Sequence, residues 1–432
     1  MYRLVYLFLL LIVLTTGLEA RQVDEPGVLE SILNFQTIST SNSKIDKLYA
    51  ESSILRRDLG ISLVASYNHR FGEGFIDNDL NAGSIEKYYK TGLNWEILKA
   101  GWVQNRRLAE TNDLRVELEL LEQQVRDKQE SYFAQFALAA YLFDKEIHDV
   151  YLERIQLLSS KRPIYVSLRE EGYFTNEEVF NLNARFEEAR LEKEILFQSN
   201  SSFEHIFSDE LNTFNYPYQV RETLMPDVDI SAILGSFNDM EGHLKMVEMR
   251  KELIRAPSYF IYDMSLTASV NYHHQTSFSD NTRDYVAMGI SLRMPLARNR
   301  RAVRDSYVAE SKALDEGLQL EVKNRKKEML MLYQEYSYKQ KQLLNLVSKY
   351  TLLEDRIRVQ EVTKASVNTD VPEVDASLLQ DDALAVLVEQ VALKKQMHQL
   401  LLKMNLNLTS GEIIDYLVYD DEKKLITSRK GL

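Results

Sequence analysis

Two long stretches without glycine or proline constrain this chain more than anything else in it. One covers residues 103–160, the other 318–371. Both residue types punctuate turns, so their absence calls for unbroken helix. The whole chain of 432 residues has 15 glycines and 7 prolines, well under the average usage of about 7% and about 5%. In the first stretch Leu114, Leu118, Leu121, Val125, Tyr132, Phe136, Ala139, Phe143, Ile147 and Val150 form an apolar seam. In the second, the seam is Met329, Tyr333, Tyr336, Leu343, Val347, Tyr350 and Ile357. Steps of three and four like these mark a coiled-coil-type stripe. A helix of about 60 residues would be about 90 Å long at 1.5 Å per residue, where the globular mean is about 11–12 residues. A return helix follows each one, over 176–198 and 378–404. Pro163, Pro257, Pro295 and Pro372 read as boundaries between elements.

The chain also contains one unit twice. Ile61-Ser-Leu-Val-Ala-Ser-Tyr-Asn68 matches Met264-Ser-Leu-Thr-Ala-Ser-Val-Asn271 at five positions in one alignment. Tyr88 and Gly92 then match Tyr285 and Gly289, and Asn105-Arg-Arg107 matches Asn299-Arg-Arg301. Matches in the same order point to duplication. Each half reads as a short helix (about 28–57 and 238–255), two strands, a long helix and a return helix. The strands are expected at about 59–70, 88–98, 262–273 and 285–295. Their alternation over about ten residues is the signature of membrane β-strands. The implied boundaries are 21–215 for the first repeat, 216–237 for a linker, 238–415 for the second repeat and 416–432 for a tail.

Residues 1–20 read as a secretory signal. Arg3 precedes the apolar run Leu4–Leu14, and Ala20 offers a small cleavage-site residue. The run is shorter than the about 20 residues a spanning helix needs, and no later stretch is long enough either. The mature chain is therefore periplasmic or secreted, or it crosses an outer membrane as strands. Four strands cannot close a barrel, and an open edge is not tolerated in lipid. Inserted strands must come from two, three or four chains sharing one barrel of 8, 12 or 16 strands.

The order helix, strand, strand, long helix, return helix, twice over behind a signal, resembles the TolC-like outer-membrane efflux proteins. Gly289-Ile-Ser-Leu-Arg-Met-Pro-Leu296 followed by Arg298-Asn-Arg-Arg-Ala302 is similar to that family's strand ending in Pro-Leu before a basic helix start. Arg169-Glu-Glu-Gly-Tyr-Phe-Thr-Asn-Glu-Glu-Val179 resembles its helical tip, with Gly172, Tyr173 and Phe174 at the turn. Met225-Pro-Asp-Val-Asp-Ile230, leading through a helix to Ala256-Pro257, resembles its linker. The likeness covers about residues 28–415. It implies an α+β membrane protein: a homotrimer whose 12-stranded β-barrel, four strands per chain, continues as an α-helical periplasmic barrel. It further implies docking to a periplasmic adaptor and an inner-membrane transporter. The second tip, Ser366–Ala376, lacks the first tip's glycine and departs from the family pattern.

That second tip is acidic. Asp370, Glu373 and Asp375, with Asp381 and Asp382 close by, would form carboxylate rings on a threefold axis, and such rings select cations. A solvated helix N-terminus would use the same residues to complement its dipole. Trp95 and Trp102 fall where the second strand meets the long helix, as interfacial anchors do. Arg106, Arg107, Arg300 and Arg301 follow and could meet phospholipid head groups; the alternative is a packed strand–helix junction. His273 and His274 are adjacent, and neighbouring strand residues point to opposite faces, so they read as polar loop-edge residues. No HExxH, Walker A, GxSxG or GxGxxG pattern occurs, and no cofactor is expected. There is no cysteine, which excludes disulfides, thiolate metal sites and a lipidated N-terminus. The balance of 65 acidic against 52 basic residues disfavours nucleic acid as a partner. The expected function is passive exit from periplasm to exterior, powered by a partner transporter of a tripartite efflux or type I secretion system. The rival readings are a periplasmic coiled-coil scaffold that never inserts and, less favoured, an enzyme.

Overall fold

A computed structural model describes residues 27–35, 43–69, 85–99, 101–214, 220–237, 241–255, 264–277, 282–294, 300–366, 374–409 and 411–419. The signal reading at 1–20 lies outside them. In chain order the elements are α1 (Val28–Leu33), α2 (Ser43–Arg57), β1 (Ile61–His69), β2 (Ile85–Glu96), α3 (Trp102–Glu170), α4 (Asn176–Ile206) and α5 (Ser208–Thr213). Then come β3 (Asp227–Val228), α6 (Ile230–Ser236), α7 (Glu241–Arg255), β4 (Ser265–Ser277), β5 (Thr282–Arg293), α8 (Arg300–Ser366), α9 (Val374–Asn407) and β6 (Leu417–Val418). The duplicated order of strands, long helix and return helix is present in both halves.

The long helices have 69 and 67 residues. α3 runs through Pro163, and α8 runs through Gly317. The expected boundary at Pro163 is therefore wrong. An internal proline removes one backbone hydrogen bond and crowds the preceding turn. Here its ring lies exposed, while Leu158 and Tyr165 on either side are buried and hold the helix in place. At the N-terminus the reverse happens. The single helix expected over 28–57 begins as α1 and breaks at Asn34, and the chain is helical again in α2. The ring of Phe35, just past the break, packs edge-on against Phe207 and Phe214 at 6.1 and 5.8 Å.

The chain divides into two compact units, and each draws on both halves. One comprises residues 39–126 and 240–323. It holds a four-stranded antiparallel sheet in the order β1-β2-β4-β5. The middle pairing, β2 with β4, joins the two repeats. The two hairpins are related but out of step by two residues. Gly92 faces Val64, whereas its counterpart Gly289 faces Ser269, the counterpart of Ser66. A two-residue shift leaves every side chain on its original face. Beside the sheet, α2 is tied to α3 by Ser52 Oγ donating to Asp113 at 2.8 Å and by the ion pair Arg56–Asp113.

The other unit comprises residues up to 38, 127–239 and 324–432. Its helices touch in the order α4, α3, α9, α8. Phe203 stacks on Tyr141 with centroids 4.8 Å apart, Phe143 meets His398 at 4.8 Å, and Gln390 Nε2 donates to the Leu346 carbonyl at 3.0 Å. The core around Leu138, Phe143, Met397 and Leu401 is closed by α1, α6 and the short pair β3–β6. The Tyr336 hydroxyl crosses this core and donates to the Pro226 carbonyl at 2.6 Å. Buried polar groups need such partners.

Candidate membrane-spanning sheet and helical tip

The alternation in the four strands sorts their side chains into two faces. One face carries Ile61, Leu63, Ala65 and Tyr67, opposite Trp95, Leu93, Thr91 and Tyr89. The next strands continue it with Ala268, Val270 and Tyr272, then Ile290, Met288 and Val286. In a single chain these apolar groups lie open, Met288 at 79% and Ile290 at 82%. The other face carries Ser66, Asn68, Lys90, Asn94, Asn271 and Ser291. Aromatic residues mark both ends of the apolar face. Tyr67 and Tyr89 pack at 4.6 Å at one end, and Trp95 sits at the other. His273 and His274 lie inside β4 and not at a loop edge. His273 stacks on Tyr285 at 4.7 Å on the polar face, and His274 bonds Asp284 at 2.5 Å on the other. Among the described residues no cluster of ligating side chains could hold a metal ion, and no helix is long and apolar enough to cross a membrane.

The strand-to-helix junction is tight. Trp95 Nε1 donates to the Leu59 carbonyl at 3.0 Å, and Trp102 opens α3; both rings remain exposed. Gly60 has φ +70°, and a Cβ on Gly101 would stand 1.6 Å from the Glu96 carbonyl oxygen. Arg106 is exposed and Arg107 half-buried. Arg301 is exposed, 4.0 Å from Asp305. Arg300 begins α8, and its side chain is outside the described set.

At the first tip, α3 ends in a Schellman turn. Gly172 has φ +85°, its N–H donates to Arg169 O, and the Tyr173 N–H reaches back to Leu168 O at 2.9 Å. Phe174 stacks on Tyr165 at 4.8 Å, and Tyr173 is left 72% exposed. Thr175 and Glu178 form a capping box at the start of α4. The hydrogen bonds from the Thr175 backbone and side chain hold the Glu178 carboxyl below its usual range. Asp370 and Glu373 of the second tip lie outside the described residues. Asp375 is in α9, with its side chain outside them.

Asp381 and Asp382 do not behave as free acidic groups. Asp381 is wholly buried on α9. It accepts from Arg154 Nε of α3 at 2.9 Å and Arg154 Nη2 at 3.3 Å, and from Arg185 Nη1 of α4 at 2.9 Å. Arg185 also reaches Asp382 at 2.7 Å. One carboxylate thus joins three helices from both halves.

No family model matches the sequence, and no curated protein matches it. Solved structures do. The outer membrane protein VceC from Vibrio cholerae gives a TM-score of 0.58 at 13% identity, over 85% of this chain and 91% of that one. The CmeC outer membrane channel of Campylobacter jejuni gives 0.59 at 11%, covering 92% and 88%. The open MtrE outer membrane channel of Neisseria gonorrhoeae gives 0.60 at 12%, covering 89% and 88%. This chain has the outer-membrane channel fold. Against that fold, three features escaped the sequence reading. Gly60 and Gly101 fix the junction, yet neither sits in a recognisable motif. The Arg154–Asp381 pair joins residues 227 positions apart, beyond the reach of any local pattern.

Proposed function

We propose that the chain is one subunit of an outer-membrane channel, a passive duct from periplasm to exterior. The observation that carries this reading is the two-faced sheet. A scaffold in water would have no use for four adjacent strands that display Leu63, Leu93, Met288 and Ile290 on one side. In lipid that side is the outer wall and the polar side lines water. The outer strands are β1 and β5, and in lipid their edges must be paired. Copies of the chain supply that pairing, β5 of one against β1 of the next. Three copies give the 12 strands implied by the resemblance to TolC-like proteins. The aromatic residues at both ends of the apolar face and the basic residues after the strands, Arg106, Arg107, Arg300 and Arg301, then meet the membrane interfaces. The tip at Gly172–Phe174 faces the periplasmic adaptor, the inner-membrane transporter supplies the energy, and Asp370, Glu373 and Asp375 ring the aperture.

The test is the mass and conductance of the detergent-purified protein in planar bilayers. A conducting trimer is expected. A non-conducting monomer overturns the reading. Asp370→Ala, Glu373→Ala and Asp375→Ala together should lower cation selectivity, read from reversal potentials in a salt gradient. Unchanged selectivity removes the aperture role and leaves the duct.

A further inference from the structure

The strand register arranges the polar face of the sheet in rows. One row is Ser66 of β1, Lys90 of β2, His273 of β4 and Tyr285 of β5, each directly opposite the next. The neighbouring row, towards the ends of β1 and β4, is Asn68, Tyr88, Gln275 and Arg283. Opposed side chains on one face of an antiparallel pair stand about 5 Å apart at Cβ, so Lys90 and Tyr285 flank the His273 ring. The two rows are also tied together. Tyr88 Oη and His273 Nδ1 are hydrogen-bonded at 2.5 Å. His273 and Tyr285 stack with centroids 4.7 Å and planes 3° apart, and Gln275 Nε2 donates to the Tyr285 hydroxyl at 3.0 Å. On the other side of the first row, Gly92–Asn271–Ala287 and Asn94–Ser269–Gly289 carry only short side chains, which leaves room beside the rings.

The charge on this part of the face has one sign. Over 62–68, 88–94, 267–275 and 283–291 it carries Lys90 and Arg283 and no carboxylate. Asp284 lies on the opposite face, bonded to His274. Glu86, at the bulge that begins β2, is 3.6 Å from Lys87 and 3.9 Å from His69, and Glu96 is at the far end of the same strand. Lys90 is half-buried, and among the described residues it has no ion pair. An ammonium without a counter-charge beside a fixed ring stack suits an anion that carries an aromatic ring. The carboxylate meets the charge, and the ring meets Tyr285, which is 44% exposed.

We propose that Lys90, His273 and Tyr285 form a binding station for small aromatic carboxylates on this wall. The Tyr88 hydroxyl donates to His273 Nδ1, so the ring N–H is on Nε2 and bonds the carboxylate beside Lys90. The solute's ring lies against Tyr285, and Arg283 draws anions towards the row. The inference rests on the channel reading above, in which this face lines water, and adds a class of solute to it.

The test uses the detergent-purified full chain, with benzoate, benzylamine and acetate as probes. Binding is read by saturation-transfer NMR, and mass and bilayer conductance are measured on the same preparation and on each variant. Benzoate should bind and benzylamine should not. Acetate, which lacks the ring, should bind more weakly than benzoate. Lys90→Gln should weaken benzoate binding by about tenfold or more, and Lys90→Arg should retain it. Tyr285→Leu should weaken benzoate and leave acetate unchanged. Benzoate bound no better than benzylamine overturns the proposal. So does benzoate binding that Lys90→Gln and Tyr285→Leu leave unchanged. With a conducting trimer, either result leaves the channel reading standing. A non-conducting monomer overturns both.

Discussion

Asp381 is the side chain whose loss should be felt most widely. It has no solvent exposure, and its chief partner Arg154 has 8%. Substituting Asp381→Ala leaves the Arg154 guanidinium buried without its counter-charge. Breaking a buried pair in this way costs about 3–5 kcal/mol. Arg185, more exposed and still bonded to Asp382, should contribute little to that loss. A chain this long, with two compact units, does not unfold in one step, so a global melting point would blur the effect. Local hydrogen exchange followed by mass spectrometry reads it directly. At 1.36 kcal/mol per tenfold, protection around Arg154 on α3 and around Asp381 on α9 should fall by about 10²–10⁴-fold, or to the level of open helix if that comes first. Peptides of the sheet unit should not change. The control is the double change Arg154→Met with Asp381→Leu, which removes both charges and keeps apolar bulk. Replacing a buried pair by apolar residues is often neutral or better, so protection should return to within about tenfold of the natural protein. If the double variant exchanges as fast as Asp381→Ala, the uncompensated charge is not the cause. If Asp381→Ala exchanges like the natural protein, the pair contributes nothing.

Ile290→Arg, on the apolar face of β5, should cost about 2–4 kcal/mol at mid-membrane depth. Urea unfolding from lipid vesicles should show it, while Ser291→Arg on the polar face should have a much smaller effect. Gly101→Ala would put a Cβ 1.6 Å from the Glu96 carbonyl oxygen, so either strand or helix must shift. The expected result is faster hydrogen exchange in peptides around Glu96 and Trp102 and a reduced yield, with Gly235→Ala, which has open space around it, unaffected. Burial pushes His398 down to about 4 from the ordinary 6.5. The folded state keeps it neutral, while the unfolded chain takes up a proton below pH 6.5. Its contribution is therefore complete above pH 6.5 and lost as pH falls towards 4, a decline of about 3 kcal/mol. His398→Leu should flatten that part of the pH profile of denaturation midpoints relative to the natural protein. Parallel profiles would refute the assignment.

The features legible in the sequence are those written in local periodicity. Alternation in Ile61–Asn68 and Tyr285–Met294 located strands to within a few residues, because a strand with one apolar and one polar face must alternate along its whole length. The heptad stripes located α3 and α8, although burial follows them over only part of each helix: Phe143, Ile147 and Val150 of α3 and Met329, Tyr336 and Leu343 of α8 are buried, whereas Val125 is exposed. Punctuation signals were weaker guides. Pro163 sits inside a helix because buried Leu158 and Tyr165 on both sides outweigh a single lost hydrogen bond. Gly317 lies among exposed and half-buried residues, and its cost of about 1 kcal/mol is small in a helix of 67 residues. The break at Asn34 has no glycine or proline to announce it. It comes from where Phe35 finds aromatic partners, Phe207 and Phe214, far along the chain.

The charged residues show the same division more sharply. The acidic run around the second tip is visible as composition, but its members have different fates. Asp381 is taken into the interior by Arg154 and Arg185, which no spacing rule connects to it, and it cannot serve as a free carboxylate. In the channel proposed above, the carboxylates left for a charge effect at the second tip are Asp370, Glu373 and Asp375, with Asp382 beside them 45% exposed. This also separates two roles that composition merges. Neutralising Asp381 should loosen the joint between α3, α4 and α9, whereas neutralising the three tip residues should alter only which ions pass. A variant of the tip that destabilised the helices, or an Asp381 variant that changed selectivity with hydrogen exchange intact, would show that this separation is wrong.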